Sequence, residues 1–192
     1  MDPRKPIFDA ARTAKGSGFT QIHVDAINAA LDQAGVPREL VPGQRAVGTK
    51  GIALMHKWEG SKLVAYPDPG SKDGNPWTIG RGATGPGITK GTVWTQAQVD
   101  ARFAQDLVSY AAAVSKFIGD TPTTQDQFDA LVAFHYNTGK IAASTLGKLH
   151  KAGNYAGAAA EFPKWIYNDG KPMDGLKNRR ADERKLYEGK WP

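Results

Sequence analysis

The 192-residue sequence contains no cysteine, which excludes disulfide bonds and thiolate metal sites but leaves the compartment open. Its four histidines lie far apart in sequence and form no HExxH-like pattern, so we expect no metal site. Neither end of the chain carries an apolar run as long as a signal peptide or a membrane helix. We therefore expect no metal, no cofactor, no stable membrane insertion, and export only with outside help.

Motifs for nucleotide and nucleic-acid binding are missing or incomplete. The segment Gly80–Gly85 matches GxGxxG, but Pro86 and Gly87 follow it where a dinucleotide site needs an opening helix. A tight turn, or close approach of a substrate to the backbone, explains these glycines better. Zinc-finger spacing and the aromatic strand signature of an RRM are absent as well. We expect no nucleic-acid partner.

The sequence does contain an excess of positive charge, with a formal net charge of +6. Residues 1–48 carry six Lys/Arg and five Asp/Glu, so nearly all of the excess lies after residue 48. A basic balance suits an anionic polymer, either nucleic acid or bacterial cell wall, and it also fits a merely solvated basic surface. Charge alone does not choose among these.

Helix and turn signals divide the chain into a short extension and one larger domain. Residues 19–35 carry apolar side chains at helical spacing, and residues 39–50 contain the proline and glycines of a linker. We place the boundary near Thr49, with an N-terminal helical extension and linker over 1–48 and the main domain over 49–192. One amphipathic helix cannot bury a core of its own, so we expect the extension to dock on the main domain.

The main domain begins with a predicted helix, Gly51–Glu59, followed by two short strands, 62–66 and 77–81, around a loop rich in proline and glycine. Beyond the T-x-x-Q capping box of Thr95 and Gln98 the pattern becomes helical. Further helices are predicted from Thr123 and over 144–153, 154–165 and 178–189. The fold class is α+β, mostly helical with a small β-hairpin lobe near its start.

Three polar residues near the start of this domain attract attention. Glu59 lies in the last turn of its helix, where the macrodipole disfavours a negative charge and so favours the protonated form that a general acid needs. Asp68 lies in the proline-rich loop, and Thr78 lies in the second strand. Taken singly, they are also explained as an exposed glutamate, a turn aspartate and an ordinary strand threonine.

The order of these pieces resembles the phage-type lysozyme (muramidase) family, glycoside hydrolase family 24. The nine-residue step from Glu59 to Asp68 matches the family pattern, and the resemblance spans roughly residues 51–190. The segments that carry it are Trp58–Gly60, Ala65–Asp68, Thr78–Gly82, Ala130–Gly139, Trp165–Asn168 and Gly175–Arg184.

The resemblance implies a lysozyme-like fold and hydrolysis of the β-1,4 bond between N-acetylmuramic acid and N-acetylglucosamine in peptidoglycan. Glu59 would protonate the leaving oxygen, while Asp68 and Thr78 would position a water on the opposite face of the sugar. Such a reaction inverts the anomeric carbon and needs carboxylates about 6.5–9.5 Å apart.

The resemblance also implies supporting residues. Arg179 would pair with the catalytic glutamate, and we expect it in the first turn of its helix, where a cation needs a compensating carboxylate. An ordinary surface arginine is the alternative. Tyr136 and Asn137 would line the sugar groove, and we expect Trp165 to pack in the core rather than form a sugar platform.

Two departures from the family pattern affect the site. The family commonly places its aspartate and threonine six residues apart, whereas Asp68 and Thr78 are ten apart, so Asp73 in the lengthened loop is a rival second carboxylate. The family often has histidine after Gly-x-Gly, where this chain has Ala83, which bears on local stability more than on chemistry.

The biological context implied is that of a phage endolysin. We expect it to wait in the host cytoplasm as a monomer and to reach the wall after a holin permeabilises the membrane. Two alternatives remain open at this point: a non-catalytic peptidoglycan-binding or tail-associated structural protein, and a lytic transglycosylase.

Overall fold

The computed structural model describes residues 5–16, 20, 23, 26, 27, 30, 45–67 and 75–192, so the helix predicted over 19–35 lies mostly outside the described residues. The α-helices in these ranges are α1 (Lys5–Lys15), α2 (Thr49–Glu59), α3 (Gln96–Ile118), α4 (Gln125–Thr138), α5 (Thr145–Lys151), α6 (Tyr155–Glu161) and α7 (Asp174–Tyr187). The strands are β1 (Lys62–Pro67), β2 (Trp77–Gly80), β3 (Tyr167–Asn168) and β4 (Lys171–Pro172). None of the helices in the described ranges is long and apolar enough to cross a membrane.

The chain forms two compact units. The first, called the β-lobe unit below, comprises Met1–Gly43 and Ser61–Asp106. The second, called the helical unit, comprises Gln44–Gly60 and Leu107–Pro192. The predicted boundary near Thr49 stays a prediction, and Thr49 is the residue at which α2 begins.

In the β-lobe unit, β1 and β2 form the predicted antiparallel hairpin, with Tyr66 opposite Thr78. Its small core consists of buried aliphatic side chains packed against two half-buried tryptophans: Ala65, Ile79, Ala83, Ile88, Trp77 and Trp94. The backbones of Ile79 and Ala83 exchange two hydrogen bonds of 2.9 Å. Gly80 and Gly82 turn the chain between them with φ of +68° and +96°. The GxGxxG match is therefore a tight turn, as predicted.

In the helical unit, α2 has an N-terminus capped by a side chain from another helix. Its N-cap residue is Gly48, which has no side chain to cap with. The Asp129 carboxylate on α4 instead accepts hydrogen bonds from the backbone N–H groups of Gly48 (2.9 Å) and Gly51 (3.2 Å). A Cβ at Gly51 would lie 2.7 Å from Asp129 Cγ and 2.6 Å from Val47 Cγ1. Glycine is thus required for this close approach, which anchors α2 on α4.

The helix α4 lies at the centre of the helical unit, where it packs against α2 and α7. The helix was predicted to open at Thr123, which is one residue too early, because Thr124 is the N-cap and the helix begins at Gln125. Thr124 Oγ1 accepts from the N–H of Gln127 (3.1 Å), and the Gln127 side chain accepts from the N–H of Thr124 (2.9 Å). The Thr123 hydroxyl instead contacts His150 Nε2 at 2.9 Å. The capping box predicted for α3 is confirmed by the 3.2 Å bond from the Gln98 N–H to Thr95 Oγ1.

The final helix, α7, begins at Asp174, four residues before the predicted start. An acidic residue in the first turn complements the macrodipole there. Arg179 consequently lies beyond the first turn, so the expectation that helix position would make Arg179 need a carboxylate was wrong. The hairpin of β3 and β4 just before α7 was not predicted. Asp169 and Gly170 form its two-residue turn with φ of +48° and +74°.

Candidate active site

Glu59 is the last residue of α2 and lies directly before Gly60, whose positive φ of +60° ends the helix. Its side chain is only 14% exposed. Glu59 Oε1 lies 2.6 Å from Nη2 of Arg179 on α7. That contact is not aligned along an N–H bond, and Oε1 accepts no hydrogen bond from the described residues. Oε1 therefore meets Arg179 as a close charge contact rather than as an aligned hydrogen bond.

Arg179 is itself buried and shared between two carboxylates and a carbonyl. Its Nε donates a 2.9 Å hydrogen bond to Glu183 Oε1, one turn further along α7. Its Nη2 also donates to the carbonyl oxygen of Ala133 on α4, at 3.3 Å. The guanidinium is therefore fixed from two helices, and Glu59 meets a positive charge that cannot move away.

Glu183 is fully buried and also contacts Arg180, whose Nη1 lies 2.8 Å from Glu183 Oε2. Burial raises the pKa of Glu183, against the opposing effect of the two arginines. Burial likewise lowers the pKa of Arg180. Arg180 Nη2 donates a short hydrogen bond to Asn137 Oδ1 on α4. Two arginines and two glutamates thus form one charge-balanced cluster, which we call the buried charge cluster.

A cavity of about 780 Å³ within the helical unit adjoins this cluster. Arg179 lines it, together with two tryptophans, a tyrosine and two amide side chains: Trp58, Trp165, Tyr167, Asn137 and Asn168. Aromatic faces beside amide and guanidinium donors suit a sugar, which presents apolar C–H faces and hydroxyl edges. Its volume lies in the range of ligand cavities, about 300–1,000 Å³.

Of the other predicted site residues, one lies on β2 and two lie outside the described residues. Thr78 is half-buried on β2 in the β-lobe unit, paired with Tyr66. Asp68 and its rival Asp73 lie outside the described residues, so the choice between them stays a prediction.

Tyr136, predicted to line the groove, and Trp165, predicted to pack in the core, differ in what they contact. The Tyr136 ring packs on Tyr110, with centroids 4.7 Å apart, and Tyr136 is not among the residues that line the cavity. Trp165 packs edge-on against Phe134 at 5.0 Å, as expected of a core residue, yet it is only half-buried and also lines the cavity. The predicted packing of Trp165 in the core therefore describes only one of its two faces, because the residue also lines the cavity.

Sequence reasoning missed Arg180 and Glu183 as parts of the site. Their spacing was visible in the sequence, since Glu183 follows Arg180 by three residues and Arg179 by four, the two steps that bring helix side chains together. The same spacing is found between exposed side chains on a helix surface, so it does not by itself indicate a site. Only the tertiary structure shows that these residues are buried.

Comparison with known proteins agrees with this architecture. The phage lysozyme family model matches residues 56–183. An endolysin of Acyrthosiphon pisum secondary endosymbiont phage 1 is 35% identical over 148 residues, which cover 74% of this chain and 97% of the relative. An endolysin of Bacillus phage PZA is 38% identical over 149 residues, which cover 76% of this chain and 56% of the relative. The solved structure of the endolysin from Escherichia coli O157:H7 phage FAHEc1 has a TM-score of 0.66 at 35% identity, covering 78% of this chain and 98% of that one.

The chain therefore belongs to the phage lysozyme family. The family resemblance, the lysozyme-like α+β fold and the enzyme class predicted from the sequence, a glycoside hydrolase of the lysozyme type, are all confirmed.

Proposed function

We propose that this lysozyme hydrolyses the β-1,4 bond between N-acetylmuramic acid and N-acetylglucosamine of bacterial peptidoglycan, with Glu59 as the general acid. One observation carries the assignment of Glu59. Its mostly buried carboxyl group contacts Arg179, and Arg179 also lines the cavity whose aromatic and amide side chains suit a sugar. The Arg179 guanidinium thus contacts the candidate acid and also lines the cavity.

The proposed reaction starts with Glu59 protonated. Its proton passes to the glycosidic oxygen as the bond to the anomeric carbon breaks, and the electron pair of that bond leaves with the oxygen. Negative charge develops on Glu59 at this moment, and the fixed Arg179 guanidinium stabilises it without rearranging. A water then bonds to the anomeric carbon from the opposite face and gives its proton to the second carboxylate, which inverts the configuration.

We propose Asp68 and Thr78 as the residues that position this water, with Asp73 as the rival carboxylate. For Asp68 the support is the nine-residue step from Glu59, and for Thr78 it is the family segment Thr78–Gly82 on β2. Asn137 and Tyr136 are proposed to line the sugar groove. Asn137 has the stronger support, because it lines the cavity and is oriented by Arg180.

The central test replaces Glu59 by glutamine, which has the same shape and no acidic proton. We expect Glu59→Gln to lose about 10²–10⁴-fold in the release of new reducing ends from purified peptidoglycan. Glu188→Gln, which alters a glutamate paired with Arg184 on the same helix as Arg179, is the control and should keep wild-type activity. Near-full activity of Glu59→Gln would remove it from this role.

The same assay separates the two loop carboxylates and the type of product. Asp68→Ala is expected to lose activity, and Asp73→Ala is expected to retain it, whereas the reverse result would make Asp73 the second carboxylate. Mass spectrometry of the fragments should show hydrolysed ends. Anhydro ends would identify a lytic transglycosylase instead.

We further propose that the protein is stored in the host cytoplasm as a monomer and acts on the wall after a holin has permeabilised the membrane. The N-terminal extension is proposed to dock on the catalytic domain. Supporting this, Ala26 and Ala30 line a cavity within the β-lobe unit together with Trp94 and Ala101 of that unit.

A further inference from the structure

Glu183 has no part in the mechanism above, although it belongs to the buried charge cluster. Its side chain is completely buried, so it cannot touch substrate. Burying a carboxylate is costly unless paired cations compensate, and here two arginines do so. A charged group retained at this depth beside a candidate acid calls for a physical explanation.

The geometry of Arg179 provides one. Its Nη2 lies 2.6 Å from Glu59 Oε1, and its Nε lies 2.9 Å from Glu183 Oε1. A single guanidinium therefore contacts two carboxylates at once. Each carboxylate weakens the attraction between Arg179 and the other carboxylate. Since like charges at short range also repel, an ionised Glu183 disfavours the ionisation of Glu59.

The charged groups that act on Glu183 come from two helices, α7 and α2. Its own helix supplies Arg179 and Arg180, and α2 supplies Glu59. The helix α4 contributes uncharged groups to the cluster, the Ala133 carbonyl and the Asn137 amide. The neighbouring ion pair between Lys57 and Asp182, at 2.7 Å, joins α2 and α7 but is separate from these contacts. Glu183 is thus the negative charge that offsets the second arginine.

We propose that Glu183 is a positioning residue, which competes with Glu59 for Arg179 and thereby lets Glu59 keep the proton it donates. This inference rests on the proposed role of Glu59 as the general acid. With Glu183 ionised the cluster is neutral when Glu59 is ionised too. Without it, two arginines face one carboxylate, and both of them favour the ionised form of Glu59.

The experiment measures the pH profile of kcat on purified peptidoglycan for Glu183→Gln. The alkaline limb should move to lower pH by about one unit, which is about a tenfold loss of rate at any pH above the limb. The rate on the acidic side of the limb should stay close to that of the wild type. A residue that merely supports the fold would lower the rate by the same factor at every pH, and that result would overturn the proposal.

Asp182→Asn is the matched control, because it removes the same charge from the neighbouring position of α7 and breaks only pairs outside the buried charge cluster, those with Lys57 and Lys185. It should keep the wild-type profile, and an equal shift in Asp182→Asn would contradict a specific role for Glu183.

Arg180→Gln is the second variant. It removes the opposite charge, so the alkaline limb should move to higher pH, and this direction can be read even if Glu183→Gln fails to fold. An unmoved limb in Arg180→Gln would likewise overturn the proposal.

A titration of the Glu59 carboxyl carbon by NMR in ¹³C-labelled protein separates this inference from the proposed function. We expect Glu183→Gln to shift the titration of Glu59 to lower pH, whether or not Glu59 is catalytic. If Glu59→Gln is inactive while this titration is unchanged in Glu183→Gln, only the inference about Glu183 fails. If Glu59→Gln is fully active, the general-acid proposal fails while the titration still reports on the charge cluster.

Discussion

His150 on α5 is a buried residue whose importance was invisible in the sequence. Its side chain is fully buried, with Nδ1 2.6 Å from the Tyr187 hydroxyl and Nε2 2.9 Å from the Thr123 hydroxyl. Burial and the nearby Arg45 guanidinium lower the pKa of His150 to about 4. The imidazole therefore stays neutral in the folded protein over a pH range in which an unfolded chain would bind a proton.

This difference makes a prediction about acid stability. In the unfolded chain His150 binds a proton near pH 6.5, while the folded protein does so only near pH 4. Stability should therefore fall as the pH drops from about 6.5 to about 4, by up to about 3 kcal/mol from His150. Urea denaturation at pH 7 and pH 4.5 measures this loss as the difference between the two free energies of unfolding.

Variants isolate the effect of His150 from other groups. Burial raises the pKa of Asp129 and Glu183, which makes them act in the opposite direction over part of this range. The comparison is therefore between proteins: His150→Gln should lose this part of the pH dependence, and replacing the exposed His56 by glutamine should not. Equal pH dependence in the wild type and His150→Gln would contradict the prediction.

At the scale of single residues, sequence reasoning located Glu59 and Arg179 but not their electrostatic setting. A nine-residue step and a matching segment were enough to select these two, because motif spacing is written along the chain. The reason first given for Arg179, a position in the first helical turn, was wrong. Its carboxylate partners lie on two helices, and that arrangement exists only after packing.

Among the elements, α2 depends most on its neighbours, since its N-terminus is capped by Asp129 of α4 and its last residue is Glu59. In an isolated helix, replacing glycine by alanine stabilises by about 1 kcal/mol. For Gly51→Ala we expect the opposite, a destabilisation of about 1–3 kcal/mol, because the new Cβ would meet Asp129 and Val47 at 2.6–2.7 Å. Urea denaturation gives the free energy of unfolding.

Gly175→Ala is the control for this element. Gly175 lies in the first turn of α7, and a Cβ there meets nothing within 4 Å. That variant should be neutral or stabilising by up to about 1 kcal/mol. If both alanine variants stabilised the protein, the close approach of α2 to Asp129 would not be the constraint described here.

Elements with strong local signals were predicted well. The capping box of α3 is encoded within one helical turn, and the sequence identified it. The hairpin of β3 and β4 carried an Asp-Gly turn signal that was overlooked, since its strands are only two residues long. The capping of α2 carried no local signal at all, because its cap comes from a residue far along the chain.

At the scale of the whole molecule, the proposed storage before lysis can be tested in living cells. Expression of the full chain in Escherichia coli should leave the culture turbid until chloroform permeabilises the inner membrane, after which turbidity should fall within minutes. Glu59→Gln should not lyse the culture under either condition. Lysis by the wild-type chain before chloroform is added would show that it reaches the wall unaided.

By itself the sequence determined the family, the order of the longer elements and the identity of the candidate acid, because caps, periodicity and motif spacing are local properties of the chain. Only the tertiary structure decided how the acid is controlled. It brought Arg179 between Glu59 and Glu183, buried Arg180 beside them, capped α2 with Asp129 and held His150 neutral. The reason is physical: desolvation and charge pairing depend on which distant residues exclude water together, and no local pattern records that.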